Sequence, residues 1–467
     1  MITLRRLCIG LAALSAAAVG LLSSPPQQPA HSSRPNVLFI AIDDLNHWVG
    51  YLGRNAQVKT PNLDRLARRG VRFTRSYCAA PVCNPSRAAL MSGLLPSTSG
   101  VYDNGTDWRP QIAESLTLPT QFRKNGYFVA GAGKIYHELY RRDSEWDAYL
   151  PKEGGDPAPT GASDGVGGIK FAPLDCKDED LRDYRIVTWT IEQLKRSHDK
   201  PFFLACGVHK PHMPWNVPRK YYDMYPVDQI QLPPVLDTDL QDIPAAGVQM
   251  AKPWGDHAEI LKSGRWKEAV QGYLAAITFT DMNIGRLIDA LDQSAYKDNT
   301  IIVLWGDHGW HLGEKLHWRK FTLWEEGTRA PLIWIAPGVT KPNTVCNRTV
   351  DFMSIYPTLM ELCGLPIPAH VEGVSIRPLL KNPNAQWNRP ARTTYLYNNH
   401  AVRTEKWRYI RYNDGGEELY DESKDALEWT NLAARAEYAS IKEELRRHLP
   451  KVNTPPPEDR AARRPAR

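Results

Sequence analysis

The sequence predicts an α/β fold: a mostly parallel central sheet sandwiched by helices, with a smaller C-terminal antiparallel sheet plus a helix. Three observations carry this. Residues 37–42, 201–208 and 300–305 are continuous apolar runs, the habit of strands covered on both faces. Stretches of helical period lie between them. Beyond about residue 382, short segments alternate with period two, which reads as a sheet covered on one face.

Along the chain, residues 1–24 have a basic start at Arg5 and Arg6, an apolar run and then small residues, the pattern of a secretory signal peptide. The run is rich in Ala and Gly and short for a membrane span. The mature protein is therefore expected to be exported, periplasmic or secreted, with no stable membrane insertion. Residues 25–35 form a Pro-rich linker, and 36–381 a catalytic domain. Within it, 37–42 is the first buried strand, and a helix opens after Thr60 with Leu63, Leu66 and Ala67 at helical spacing. Residues 118–124 read as a helix, 127–132 as a strand, and 181–195 as a helix leading into strand 201–208. A long amphipathic helix, 267–291, precedes strand 300–305; a further strand, 331–336, and a helix, 352–362, follow. Two irregular stretches, 141–180 and 225–253, read as loops able to wall a pocket. Residues 382–450 form a C-terminal subdomain closing on a helix near 438–447, and 451–467 read as a disordered tail.

Bulk properties exclude some functions. At 467 residues the chain can bury a large core, and 42% hydrophobic with 24% charged residues is ordinary for a globular protein. A formal charge of +6, reduced by two on loss of Arg5 and Arg6, is too small to argue for nucleic acid as a partner. Seven cysteines include Cys8 in the signal segment, and none has zinc-type spacing. Export permits one or two disulfides, with connectivity open.

The chemistry lies at the strand ends. Residues 37–42 end in Asp43-Asp44, 201–208 in His209-Lys210-Pro211-His212, and 300–305 in Gly306 and Asp307-His308. Parallel strands release their carboxyl ends along one edge, so these groups can converge. Adjacent acids repel, which makes a cation the better reading than a simple strand end or helix cap. His209 and His212 are a poor metal pair, because a Pro-flanked irregular segment does not enforce their convergence. Cys83 opens Cys83-Asn84-Pro85-Ser86-Arg87 just before a helical run. Pro85 suits a first helical turn, and a helix N-terminus favours an anion. Arg87, one turn on, can return its guanidinium to the same place. For an arbitrary Cys-x-Pro, a plain buried cysteine is the commoner outcome. Three carboxylates and Cys83 around a hard cation favour calcium or magnesium, and an exported chain without a nucleotide motif favours calcium.

The complete Cys-x-Pro-Ser-Arg matches the signature of type I, formylglycine-dependent sulfatases. With Asp43-Asp44, Gly133-Lys134, His137, His209-Lys210-Pro211-His212, Asp307-His308-Gly309-Trp310, Lys320, Glu418-Leu419-Tyr420-Asp421 and Asn431-Leu432-Ala433, the chain resembles that family, of the alkaline-phosphatase-like superfamily. Its local motifs resemble the iduronate-2-sulfatase branch most, including His308 where many sulfatases have asparagine. The resemblance covers residues 36 to about 432. It implies Ca2+ held by Asp43, Asp44, Asp307, His308 and a formylglycine made from Cys83 by a formylglycine-generating enzyme. It implies that the hydrated aldehyde attacks sulfur, that Arg87 assists its ionisation, and that Lys134, His212 and Lys320 bind sulfate. His212 or Lys320 would protonate the leaving oxygen and His137 would act as base. A sulfated oligo- or polysaccharide is the implied substrate, with His209, Trp310 and Trp108 as candidate contacts and Lys210, Lys315 or Arg319 as partners for a uronate carboxylate. A phosphate or phosphonate ester hydrolase, or an unmodified carbohydrate-binding protein, remains an alternative on the same residues.

Overall fold

The computed structural model describes residues 34–457, apart from 138, 139, 153 and 160–164. The expected signal segment, nearly all of the linker and the end of the tail lie outside the described residues.

Eight strands form one sheet: β1 (Asn36–Ile42), β2 (Val71–Tyr77), β3 (Phe128–Gly133), β4 (Ala148–Tyr149), β5 (Phe202–Val208), β6 (Thr300–Gly306), β7 (Leu332–Ile335) and β8 (Thr344–Asp351). Their order is β8-β2-β7-β6-β1-β5-β3-β4. Every neighbouring pair is parallel except those of β7, which is antiparallel to both β2 and β6. β1 shows why its run does not alternate. Leu38, Ile40 and Ile42 face one core while Val37, Phe39 and Ala41 face the other, all with no exposure. Burying each such large side chain contributes roughly 1.5–3 kcal/mol.

Helices cover both faces. On one side lie α1 (Pro61–Arg68), and on the other α2 (Cys83–Ser92) and α3 (Leu118–Lys124). α4 (Arg182–Lys195) joins α1's face, followed in the chain by the short α5 (Ala245–Ala251) and then α6 (Trp266–Asp292), also on that face. α7 (Ile355–Leu362) packs beside α2. α6 was expected to be amphipathic; it packs against both α1 and α4, and most of its residues are buried.

The C-terminal sheet, β9 (Ala391–Thr394), β10 (His400–Arg403), β11 (Trp407–Arg411) and β12 (Glu417–Asp421), is antiparallel throughout. The expectation of one covered face is corrected. α8 (Ala439–Arg446) places Leu445 against Val402, Tyr409 and Leu419, while Ala251 of α5, with Leu323 and Trp324, covers Ala401, Ile410 and Tyr420. Stretch 225–253 thus docks partly on this second sheet. Part of 141–180 supplies edge strand β4, with Trp146 and Tyr149 packed at Gly131. Within 451–457, the Thr454 N–H donates to the Ser97 carbonyl at 2.8 Å, and its hydroxyl donates to the Thr98 carbonyl at 2.9 Å. All six described cysteines are free thiols, so no disulfide joins them. Among the described residues no helix is long and apolar enough to cross a membrane.

Candidate active site and metal centre

β6, β1, β5 and β3 are successive neighbours and end at one level: Ile42 pairs with Val208 and Gly306, and Gly207 with Gly133. Their common direction delivers Asp43 and Asp44, Asp307 and His308, His209, and Lys134 to one edge. Asp44 takes a left-handed conformation, φ 59°, and its N–H donates to Asp307 Oδ1 at 2.9 Å. Tyr273 of α6 fixes this turn, donating its hydroxyl to the Asp44 carbonyl at 2.8 Å and accepting the Asn46 N–H at 3.0 Å.

Opposite the edge stands the first turn of α2. Val82 is extended before it, and the Asn84 side chain donates to the Asp103 and Thr106 carbonyls, both at 2.8 Å. This holds Cys83 with Sγ 2.9 Å from Lys320 Nζ and 3.3 Å from His308 Nε2. The Ser86 hydroxyl donates to the Asp307 carbonyl at 2.5 Å. Arg87 turns back over the helix start: Nε donates to Asp307 Oδ2 at 2.9 Å, Nη2 to Asp43 Oδ1 at 3.2 Å, and Nη1 to the Lys134 and Ile135 carbonyls. Lys134 Nζ binds Asp43, and Lys320 Nζ lies 2.6 Å from Asp44 Oδ1. Lys320 follows Arg319 and precedes Phe321, both at positive φ, so a strained turn aims it inward.

Three carboxylates therefore face three cations in a site with almost no solvent. Burial opposes ionisation of Asp43, but Lys134, His212 and Arg87 hold it well below the usual carboxylate range. Asp44 is also lowered, against its burial, chiefly by Lys320. Burial pushes Asp307 up. Burial, and then the Asp43 charge, push the Cys83 thiol up, so the sulfur is held as a neutral thiol and is a weak nucleophile as it stands.

Ligand atoms of Asp43, Asp44, Cys83, Asp307 and His308 all lie within 4.8 Å of one another. The donor set fits a hard divalent cation. Asp44 Oδ2 is buried with no hydrogen-bond partner among the described residues. The His308 Nδ1–H donates to the Gly309 carbonyl at 3.0 Å, which leaves the Nε2 lone pair facing the carboxylates. Cys83 Sγ alone mismatches calcium, being soft; an oxygen group at that position matches it.

His212 stands at the mouth with its side chain 39% exposed and Nε2 3.9 Å from Asp44 Oδ2. Its Nδ1–H donates to the Met213 carbonyl, and its own N–H to the His209 carbonyl at 2.8 Å. His137 is half-buried and stacked on Tyr140; burial, and then Lys134, depress it to about 4. His209 is held by Asp183, Nδ1 to Oδ1 3.1 Å, and so reaches His212 through its backbone.

Several sequence expectations are corrected. Trp108 and Trp310 are each 1% exposed and belong to the core: Trp108 stacks on Tyr136 at 4.7 Å, and Trp310 packs against Trp215 and Tyr273. Lys210, Lys315 and Arg319 are engaged internally, with the Pro214 carbonyl, Asp239 and Asp256 respectively, and are not spare cations for a uronate. Sequence reasoning missed Tyr273, Ser86 and Asp183. Asp183 had a signal, an acid in the first turn of a predicted helix, and Ser86 had one as a member of the Cys-x-Pro-Ser-Arg motif, which gave it no role; Tyr273 had none, because its role depends on contacts across the fold.

Comparison with known proteins matches residues 35–365 to the family described as "Sulfatase", and residues 306–454 to "N-sulphoglucosamine sulphohydrolase, C-terminal". A "Sulfatase" of Formosa agariphila is 40% identical, over 90% of this chain and 87% of that protein. Iduronate 2-sulfatase of Mus musculus is 29% identical, over 74% of this chain and 72% of that one. Among solved structures, phosphonate monoester hydrolase of Agrobacterium radiobacter superposes with a TM-score of 0.76 at 23% identity, covering 89% of this chain and 95% of that one.

Proposed function

The chain belongs to the sulfatase family of sulfuric ester hydrolases, and from that premise we propose that it is an exported enzyme removing sulfate from sulfated carbohydrate, iduronate-2-sulfatase-like in its local site. The observation that carries this is the meeting, at the N-terminus of α2, of Cys83 with Arg87, three carboxylates, His308 and Lys320. Asp43, Asp44, Asp307, His308 and residue 83 would hold one calcium ion, which when bound supplies Lewis-acid polarisation of oxygen. Cys83 converted to formylglycine supplies a hydrated aldehyde as the nucleophile.

The chain's own groups then divide the remaining work. Arg87 favours the charged forms of Asp43 and Asp307, against the burial that opposes them, and stays charged itself beside residue 83. Lys134 and Lys320 present N–H donors to the oxygens of a sulfuryl group, in a buried site where such donors act strongly as charge develops. Once a dication joins three carboxylates and three cations, the site is electropositive and suits an anion. His212 commits Nδ1–H to Met213 and burial depresses it to about 4, so at neutral pH its Nε2 is an unprotonated acceptor facing the site; Lys320, kept charged beside Asp44, is the group that can give a proton to the leaving sugar oxygen. His137, depressed to about 4 and with Nδ1 unpartnered among the described residues, is the neutral imidazole that accepts a proton in turnover. The apolar signal-like segment supports export.

A second reading is a phosphate or phosphonate ester hydrolase, favoured by the fold shared with phosphonate monoester hydrolase. A catalytic pair of cations would suit it better, and the described residues offer one metal cluster. The experiment is mass spectrometry of the peptide around residue 83, run beside assays on a sulfated oligosaccharide, an aryl sulfate and a phosphonate ester. Conversion of Cys83 with sulfatase activity that Cys83→Ala abolishes is the expected result. An intact thiol in active enzyme, or preference for the phosphonate, overturns it.

A further inference from the structure

A groove of about 640 Å³, lined by none of the residues of the catalytic cluster, is within the range of ligand-sized sites. The Ser97–Thr98 turn, the end of β8, Trp387 and segment 447–452 form its walls. Asp351 ends β8 opposite Tyr77 of β2, at the same edge of the sheet as Asp307. β8 and β6 are three strand spacings apart, so at about 4.8 Å each the two places lie about 14 Å apart along that edge.

The groove carries unspent positive charge. Arg389, Arg447 and Lys451 are exposed in its walls, and none makes a side-chain ion pair or hydrogen bond with a described residue. Its acids are engaged: Glu372 accepts the Leu95 N–H at 2.5 Å and the Thr98 hydroxyl at 2.9 Å, while Asp351 accepts the Ser354 hydroxyl at 3.3 Å and faces Arg392. The half-buried ring of Trp387 is fixed by its Nε1–H, donated to the Thr349 carbonyl at 2.9 Å. The anchoring of Thr454 to Ser97 and Thr98 holds the basic wall beside the catalytic domain.

A fixed aromatic face and several free cations on the catalytic edge are the chemistry that recognises a sulfated sugar, the ring for its apolar face and the cations for sulfate or carboxylate. We propose that this groove is a second binding site, which holds a sulfated stretch of the same polysaccharide whose ester lies at Cys83. The proposal rests on the carbohydrate-sulfatase reading. It makes the enzyme discriminate between polymer and monosaccharide without altering the chemistry at residue 83.

The test uses full-length Cys83→Ala protein and measures Kd for a heparin oligosaccharide, and for single-stranded DNA of matched charge, at two salt concentrations. Adding Arg389→Ser and Arg447→Ser is expected to weaken heparin roughly tenfold at low salt, with a smaller loss at high salt. In the active enzyme the same pair should raise KM for sulfated polymer and leave turnover of a sulfated monosaccharide unchanged, which also reports correct folding. Absence of heparin binding, an unchanged Kd in the double variant, or an equal loss for DNA overturns the groove as a carbohydrate site. Failure of the active enzyme to release sulfate from any sugar instead overturns the functional reading, and the Kd difference still reports on the groove.

Discussion

Arg87 Nε lies 2.9 Å from Asp307 Oδ2, and neither side chain is exposed. The two are separated by 220 residues in sequence, so the pair joins the start of α2 to the end of β6. The same guanidinium reaches Asp43, which makes it the common counter-charge of two strand ends. Breaking a buried pair by removing one partner leaves an uncompensated charge and costs about 3–5 kcal/mol. Arg87→Met should lose stability on that scale in chelator-treated protein, measured by urea unfolding. Calcium should recover part of the loss, since it neutralises the same carboxylates. A variant as stable as wild type in chelator would show that the pair is neutral to folding.

Asp43→Asn and Asp307→Asn each remove negative charge from the proposed cation site. Calcium content by elemental analysis should fall in both, and the calcium-dependent rise in Tm should shrink with it. Activity is expected to fall with metal content. Full calcium occupancy in both variants would refute the site as drawn.

Trp310 distinguishes packing from recognition. Its ring is 1% exposed between Trp215 and Tyr273. Trp310→Ala is expected to destabilise by about 3–5 kcal/mol through the cavity it leaves. Trp310→Phe should keep the fold and leave KM for substrate within a factor of about two, since only a contact with substrate would move it further. A rise in KM of tenfold or more in the Phe variant, at unchanged stability, would restore Trp310 as a substrate contact.

What could be read from the sequence follows from where information is local. β1, β5 and β6 were legible because burial on both faces writes an unbroken apolar run, and each run ends on its functional residues. β2 and β8 were not recognised. β2 interleaves Arg72, Thr74 and Arg75 with its buried residues, and β8 is broken by an irregularity between Cys346 and Thr349. The antiparallel direction of β7 had no local signal, because strand direction is set by the connection and by its partners. At the site, Asp43, Asp44, Cys83, Asp307 and His308 converge as the strand-end argument expects. The tryptophans misled because position beside a motif says nothing about which way a ring points. Likewise, a lysine such as Lys315 gives no sign in the sequence that Asp239 already holds it.

Glu145 should give the protein a pH dependence unrelated to catalysis. Its side chain is unexposed; Oε2 accepts the Tyr136 hydroxyl at 2.7 Å, and Arg142 approaches Oε1 only to 3.7 Å. Burial raises its carboxyl from the ordinary 4.5 to about 7. Between those values the folded protein holds a proton that the unfolded chain has released. Stability from the neutral form is therefore complete below about pH 4.5, declines as pH rises, and is gone above about pH 7. Glu145→Gln keeps an oxygen for Tyr136 and cannot ionise. Relative to wild type it should be neutral at pH 4.5 and more stable by about 1–3 kcal/mol at pH 8, with the difference growing between the two. Urea unfolding of both proteins across that range measures it, and comparing the pair cancels the other groups that titrate there. A difference independent of pH would mean that Glu145 ionises normally in the folded protein, with Arg142 compensating fully for its burial.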